Sequence, residues 1–335
     1  MITRALLAGV IPTFAACAPL TMSPMAHPAT LSTADDPRPL VIAHRGASGH
    51  RPEHTLPAYA LAIAMGADYV ELDLVSTGDG VLVARHENEI SATTDAARKF
   101  PQRRSTRVID GDSVTGWFTE DFTWDELRTL RANERLPSRS HSYDGQFAVP
   151  RLDEVLALAD SAGRRRGRVV GVYIETKHPS YFRSISLPLE ERLLVVLRQH
   201  GLDRRDAPVF VQSFESENLR TLRGQTRVRL VQLVSDTSQV TPEALREIAT
   251  YADAIGPNTR LIVPASIGAR ASSVVRDAHA AGLLVHVWTL RTEAEFMAAR
   301  YRGDPLAEVR ELAALGVDGM FGDFPDLVLR GLGRR

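Results

Sequence analysis

Residues 40–74 read LVIAHRGASGHRPEHTLPAYALAIAMGADYVELDL. The stretch opens on a short β-rich apolar run, Val41-Ile42-Ala43, and passes through a helix-forming segment from Leu56 to Met65. It ends on a second β-rich run, Tyr69 to Leu74. A strand, a crossover helix and a strand in this order make a parallel pair. The same alternation continues along the chain. Strands are predicted at Val81 to Ala84, Val169 to Ile174, Val209 to Val211, Val228 to Val234, Leu284 to Leu290 and Met320 to Phe321. Helices are predicted at Leu152 to Ala162, Leu187 to His200, Leu219 to Arg223, Pro242 to Tyr251, Ala271 to Ala281 and Leu306 to Leu315, with a last one from Pro325. Roughly eight strands alternating with helices predict an α/β fold closed into a (β/α)8 TIM-type barrel.

Two places break the alternation. Between Asp73 and Val81 there is no room for a crossover helix, and Gly78-Asp79-Gly80 signals a tight turn. The chain there either returns as an extended segment or makes a local hairpin. The second break is an insertion after the third strand, over about residues 87–150. It carries Trp117, Phe118, Phe122, Trp124 and Tyr143, and one helix is expected near Trp124 to Leu130. Long irregular segments inside compact domains are usually functional. This one is expected to pack over the barrel mouth.

Net charge is −1 with 24% charged residues and no long run of one sign, which argues against a nucleic-acid partner. Residues 1–18 have the pattern of a signal peptide: Arg4, then an apolar run from Ala5 to Ile11 too short to span a bilayer, then small residues. The chain's only cysteine, Cys17, sits where a lipoprotein signal places its lipidated residue, although Phe14 occupies a position where leucine is usual. Ordinary cleavage, for instance after Ala18, is the alternative. Residues 19–39, rich in Pro, Ala, Ser and Thr, read as a flexible spacer before a catalytic domain over 40–335. The chain is therefore expected to be exported, to the periplasm or outside the cell, with membrane contact only through a lipid at Cys17. Oligomeric state is left open.

Barrels of this kind carry their chemistry at the C-terminal strand ends. His44-Arg45-Gly46 ends the first predicted strand, and His86 ends the third. Glu71 and Asp73 lie two apart on the second, so their carboxylates share a face; Glu175 and Lys177 repeat the spacing at the end of the fourth. Gln212 follows the fifth, Trp288 lies on the seventh and Asp323 follows the eighth. A lone strand-end histidine is more often a satisfied polar residue than a catalyst, and a Glu-x-Asp pair more often a solvated face. Here Glu71 and Asp73 are embedded among Tyr69, Val70, Leu72 and Leu74, and like charges inside a barrel repel unless a cation neutralises them. Carboxylates without a thiol favour a hard divalent ion, Ca2+ or Mg2+, over Zn2+. Lys177 beside Glu175 is either a plain ion pair or a phosphate contact.

The segments Ile42 to Gly49 and Pro52 to Ala58 closely resemble the opening motif of glycerophosphodiester phosphodiesterases, in particular the periplasmic bacterial branch, where His stands at the place of His54. The resemblance runs on through Gly66 to Leu74, Ile174 to Lys177, Val211 to Phe214, Leu230 to Leu233, Tyr251 to Pro257, Val285 to Leu290 and Gly319 to Asp326. It implies the barrel of the phospholipase-C-like phosphodiesterases and hydrolysis of a small-molecule glycerophosphodiester to glycerol 3-phosphate and an alcohol. Metal ligands would fall on Glu71, Asp73 and Glu175, and acid/base histidines on His44 and His86. Arg45 and Lys177 would contact phosphate, Glu53 would support the site from behind, and Gln212 and Trp288 would belong to the pocket. One departure stands out: Glu87 follows His86 where the family usually has Asp. The alternatives weighed are a phosphodiesterase for lysophospholipids or sphingolipids, and a non-catalytic surface binding protein on the same barrel.

Overall fold

The computed structural model describes residues 38–334, so the leader, Cys17 and most of the spacer lie outside the described residues. The main sheet takes its strands in chain order: β1 (Leu40–Ala43), β2 (Tyr69–Ser76) and β3 (Leu82–Ala84). The short hairpin β4 (Ser105–Ile109) and β5 (Asp112–Gly116) stands apart from it. The main sheet then resumes with β6 (Gly171–Thr176), β7 (Val209–Ser213), β8 (Arg229–Val234), β9 (Ala254–Pro257), β10 (Leu284–Leu290) and β11 (Gly319–Gly322). Among the described residues, eight parallel strands close into a barrel, because β1 pairs with β11 on one side (Val41 with Met320) and with β2 on the other (Ile42 with Tyr69).

Three expectations need correction. The third predicted strand is not a stave of the barrel: β3 returns antiparallel on β2 (Leu74 opposite Ala84), so Gly78-Asp79-Gly80 does turn a local hairpin. The stave that completes the eight is β9, passed over because Ala254-Ile255-Gly256-Pro257 is short and ends in Gly-Pro. The strand expected from Val169 begins at Gly171 and runs on through Glu175, placing that carboxylate on the sheet rather than after it. Within the insertion the expected helix is Trp124–Leu127, opened by a capping box between Thr123 and Glu126; the β4–β5 hairpin was not foreseen.

Alternation along the strands sorts the interior into a floor and a mouth. Ile42, Tyr69, Tyr173, Phe210, Val231 and Phe321 fill the lower barrel as one apolar cluster, and a larger core packs between strands and helices. A buried imidazole sits against that floor. His286 has no exposure, its Nδ1 lies 2.8 Å from the Tyr173 hydroxyl, and burial lowers its pKa from 6.5 to about 4. Well above pH 6.5 the ring is neutral in both folded and unfolded chains and contributes no pH dependence. As pH falls from 6.5 towards 4, the unfolded chain takes up a proton that the folded one refuses, so stability is lost. The expected loss from this group is on the order of 2–3 kcal/mol by pH 4.5. Urea midpoints at pH 7 and pH 5 for wild type and His286→Gln check this; an equal fall in both would assign the pH dependence to other groups.

Candidate active site

His44 lies just past β1, and its Nδ1 is 2.5 Å from Asp323 Oδ1, just past β11. The two are 279 residues apart in sequence and become neighbours only because the barrel closes. Asp323 also meets Arg139 Nη2 at 2.5 Å and Arg291 Nε at 3.0 Å. Burial alone would raise its pKa, but His44 and the two guanidiniums hold it far below the usual carboxylate range. Burial and Arg45 lower the pKa of His44, against the opposing pull of Asp323. An ionised carboxylate at Nδ1 favours the tautomer with the proton there, which leaves the lone pair on Nε2.

Glu71 and Asp73 on β2 face Glu175 on β6, and Asp73 is the register partner of Glu175. All three are buried, and one carboxylate oxygen from each lies within 4.8 Å of the others. Burial and the Asp73 charge push Glu71 well above its ordinary pKa. Burial likewise raises Glu175, to about 7, although Lys177 Nζ is only 3.0 Å from its Oε1. Asp73 goes the other way: burial opposes ionisation, but the 2.9 Å bond from His54 and the nearby Arg45 outweigh it. Gln212 Nε2 donates to Glu71 Oε1 at 3.3 Å, while Gln212 Oε1 is buried without a partner. Crowded, dehydrated carboxylates with an unused amide oxygen beside them fit a hard divalent cation.

Arg45 is threaded through this cluster. Its backbone N–H donates to Glu71 Oε2 at 2.7 Å, and its Nη1 to Glu53 Oε2 at 2.9 Å. It adopts a left-handed backbone (φ 59°), and Gly46 follows at φ 84°, where a Cβ would meet the Ala58 backbone at 2.7 Å. That close approach explains the Arg-Gly pair. Burial would favour a neutral Glu53, but Arg45 and its neighbours hold it ionised.

His86 completes the set from the chain just after β3. Its Nδ1 is 2.8 Å from Glu87 Oε1, and its Nε2 is 3.4 Å from Lys177 Nζ. Burial, Arg45 and Lys177 push its pKa down to about 4, a shift that water tempers because the side chain keeps 33% exposure.

These groups surround a cavity of about 260 Å³. His44, Arg45, Glu71, His86, Glu175, Lys177, Gln212 and Trp288 all line it, so eight of the sequence-predicted residues share one space. Asp73 and Glu53 stand behind them, reached through His54 and Arg45. Phe214, Leu233 and Phe321 give the cavity an apolar side, with Phe214 edge-on to Trp288. Sequence reasoning missed Arg135, Arg139 and Arg291. Arg135 and Arg139 belong to the irregular insertion, where nothing marks which arginine will turn inward, and Arg291 sits one residue past the end of β10.

A closed parallel barrel whose mouth holds this set of carboxylates, histidines and cations defines a phosphoric diester hydrolase. The chain belongs to the glycerophosphoryl diester phosphodiesterase family, whose model matches residues 44–327. It is 34% identical to the glycerophosphodiester phosphodiesterase GDPD6 of Arabidopsis thaliana over 86% of this chain and 84% of that one. With the glycerophosphodiester phosphodiesterase of Bacillus subtilis the identity is 32%, over 87% of this chain and 85% of the relative. Among solved structures, a phosphodiesterase of Oleispira antarctica shares the fold at a TM-score of 0.65 and 22% identity, covering 88% of this chain and 97% of that one. The activity that goes with this membership is hydrolysis of glycerophosphodiesters.

Proposed function

We propose that this enzyme hydrolyses glycerophosphodiesters to glycerol 3-phosphate and an alcohol with a divalent cation held by Glu71, Asp73 and Glu175, and with His44 and His86 moving the protons. The observation that carries this reading is the convergence of three buried carboxylates within 4.8 Å, two of them, Glu71 and Glu175, lining the cavity that both histidines line and the third, Asp73, just behind it. Held there, the cation, Ca2+ in the first place and Mg2+ in the second, would supply neutralisation of charge on the non-bridging phosphate oxygens. Arg45 and Lys177 bind those same oxygens from the protein side. One histidine takes the proton of the attacking hydroxyl; the other gives a proton to the departing alkoxide as the P–O bond breaks. Each is held through Nδ1 by a carboxylate, Asp323 or Glu87, which keeps the ring turned for transfer at Nε2. The signal-like leader supports an exported enzyme, periplasmic or extracellular, either lipid-anchored at Cys17 or released by ordinary cleavage. The product sn-glycerol-3-phosphate was bound to the Oleispira antarctica phosphodiesterase, which supports the same substrate class here.

The attacking hydroxyl in this reading is the one the glycerol unit itself carries beside phosphorus: its oxygen closes a cyclic phosphate as the alcohol leaves, and a water then opens that ring to glycerol 3-phosphate, with the two histidines exchanging roles. A nucleophile already in place can contribute roughly 7–11 kcal/mol in favourable intramolecular cases. Diesters that lack it should therefore react slowly even with good leaving groups, whereas varied head groups should be tolerated. We expect comparable kcat/KM for glycerophosphocholine and glycerophosphoethanolamine, and much slower turnover of bis(p-nitrophenyl) phosphate. Faster cleavage of the nitrophenyl diester would mean that the glycerol unit has no privileged role. A preference for lysophosphatidylcholine over glycerophosphocholine would move the enzyme to the lysophospholipid class.

A further inference from the structure

His86 does not end at Glu87. The second carboxylate oxygen of Glu87, Oε2, lies 2.8 Å from Nε2 of His178, and Nδ1 of His178 lies 2.6 Å from Asp110 Oδ2. With the 2.8 Å contact between His86 Nδ1 and Glu87 Oε1, imidazole and carboxylate alternate through four residues. Three separate pieces of the fold meet in this chain. His86 and Glu87 follow β3, and His178 follows β6 one residue beyond Lys177. Asp110 sits at the tip of the β4–β5 hairpin that the insertion contributes.

The geometry points to His178 as a positioning residue for His86, acting through Glu87 and itself held by Asp110. The inference rests on the proton-transfer role proposed for His86. His178 does not line the cavity, so it has no direct access to substrate there. Its side chain is nonetheless only 14% exposed, while Glu87 and Asp110 on either side are 43% and 53% exposed. The backbone at His178 is left-handed, at φ 46°, and Pro179 then starts a short helix, so the ring is aimed by a constrained turn. Burial would lower the His178 pKa, but the two flanking carboxylates outweigh it and raise it.

The physical need for such a residue comes from Glu87. A glutamate has one more rotatable bond than an aspartate, and a half-exposed one sweeps many rotamers unless its second oxygen is anchored. With His178 on Oε2, Oε1 stays in place to accept the Nδ1 proton of His86, fixing both ring orientation and tautomer. An ordinary surface ion pair would need no third member. Here the third member is the least exposed of the trio, and it is closed by a fourth from another element.

The test is a double-mutant cycle read in kcat and KM with glycerophosphocholine. His178→Ala should lower kcat about 10- to 100-fold with KM near the wild-type value, and Asp110→Ala should do so to a smaller degree. His178→Gln, which keeps an amide donor for Glu87, should recover part of the loss. In a His86→Ala background, His178→Ala should change kcat less than about twofold, because its only route to the reaction is gone. The same fractional loss in both backgrounds, or wild-type kcat in His178→Ala, would overturn the positioning role. Wild-type kcat in His86→Ala alone would instead bring down the underlying reading of His86. Should His178→Ala fail to fold, His178→Gln and Asp110→Asn carry the same comparison against wild type and the His86→Ala background.

Discussion

Excess EDTA should take glycerophosphocholine turnover to background, and added Ca2+ or Mg2+ should return it. The expectation follows from the state of the site without a cation. Glu71, Asp73 and Glu175 are buried with oxygens within 4.8 Å, and two of the three are pushed above their ordinary pKa. Lys177 and Arg45 offset part of that negative charge, but each is also committed elsewhere, Arg45 to Glu53 and Lys177 close to His86. A hard divalent ion relieves the remaining repulsion and takes the oxygen ligands that the cluster offers. Binding should also be visible without any assay of turnover. A cation bound only by the folded chain, at 100 times its Kd, adds about 2.7 kcal/mol of stability, so Tm should rise with Ca2+ or Mg2+. Glu71→Ala should abolish most of that rise. Full turnover in excess chelator, with no metal found by elemental analysis, would falsify the cation's place in the reaction.

His44→Ala and His86→Ala should each lower kcat by on the order of 10²–10⁴, with far smaller effects on thermal stability. The structure explains why the two readouts should separate. Removing the His44 ring leaves Asp323 still paired with Arg139 and Arg291, so no buried charge is stranded. Removing the His86 ring leaves Glu87 on His178. Neither truncation opens a large apolar cavity, because both side chains face the mouth rather than the aromatic floor. The loss in kcat is expected because the proton must be taken or given in the transition state, and Lys177, 3.4 Å from His86 Nε2, is held in its charged form by Glu175 and is a poor substitute for the ring. If either variant keeps near wild-type turnover, that histidine is structural.

Much of the site was legible in the residues because side-chain direction follows local periodicity. Glu71 and Asp73, two apart on one strand, had to share a face, and so did Glu175 and Lys177. The strand-end position of His44 and the tight turn at Gly78-Asp79-Gly80 were likewise local properties. Where local signals were weak, the reading slipped. Ala254-Ile255-Gly256-Pro257 is too short and too rich in strand breakers to announce a barrel stave, and Leu82–Ala84 has the composition of a stave without being one. Pairing partners decided both cases: β9 is a stave because β8 and β10 flank it, and β3 is not because it turns back on β2.

By itself, then, the sequence determined the strand-helix alternation and which side chains point into the barrel, since both depend on spacing within a few residues. Only the tertiary structure decided who meets whom at the mouth. Closure of β1 on β11 sets Asp323 against His44, and the insertion sends Arg139 to Asp323 and Arg135 to Glu53. The β4–β5 hairpin brings Asp110 to His178, and through Glu87 to His86. All of these contacts except the one between the neighbours His86 and Glu87 join residues from separate elements. Charge pairing in a site of low dielectric depends on distances of a few ångströms, which no periodicity within a strand encodes.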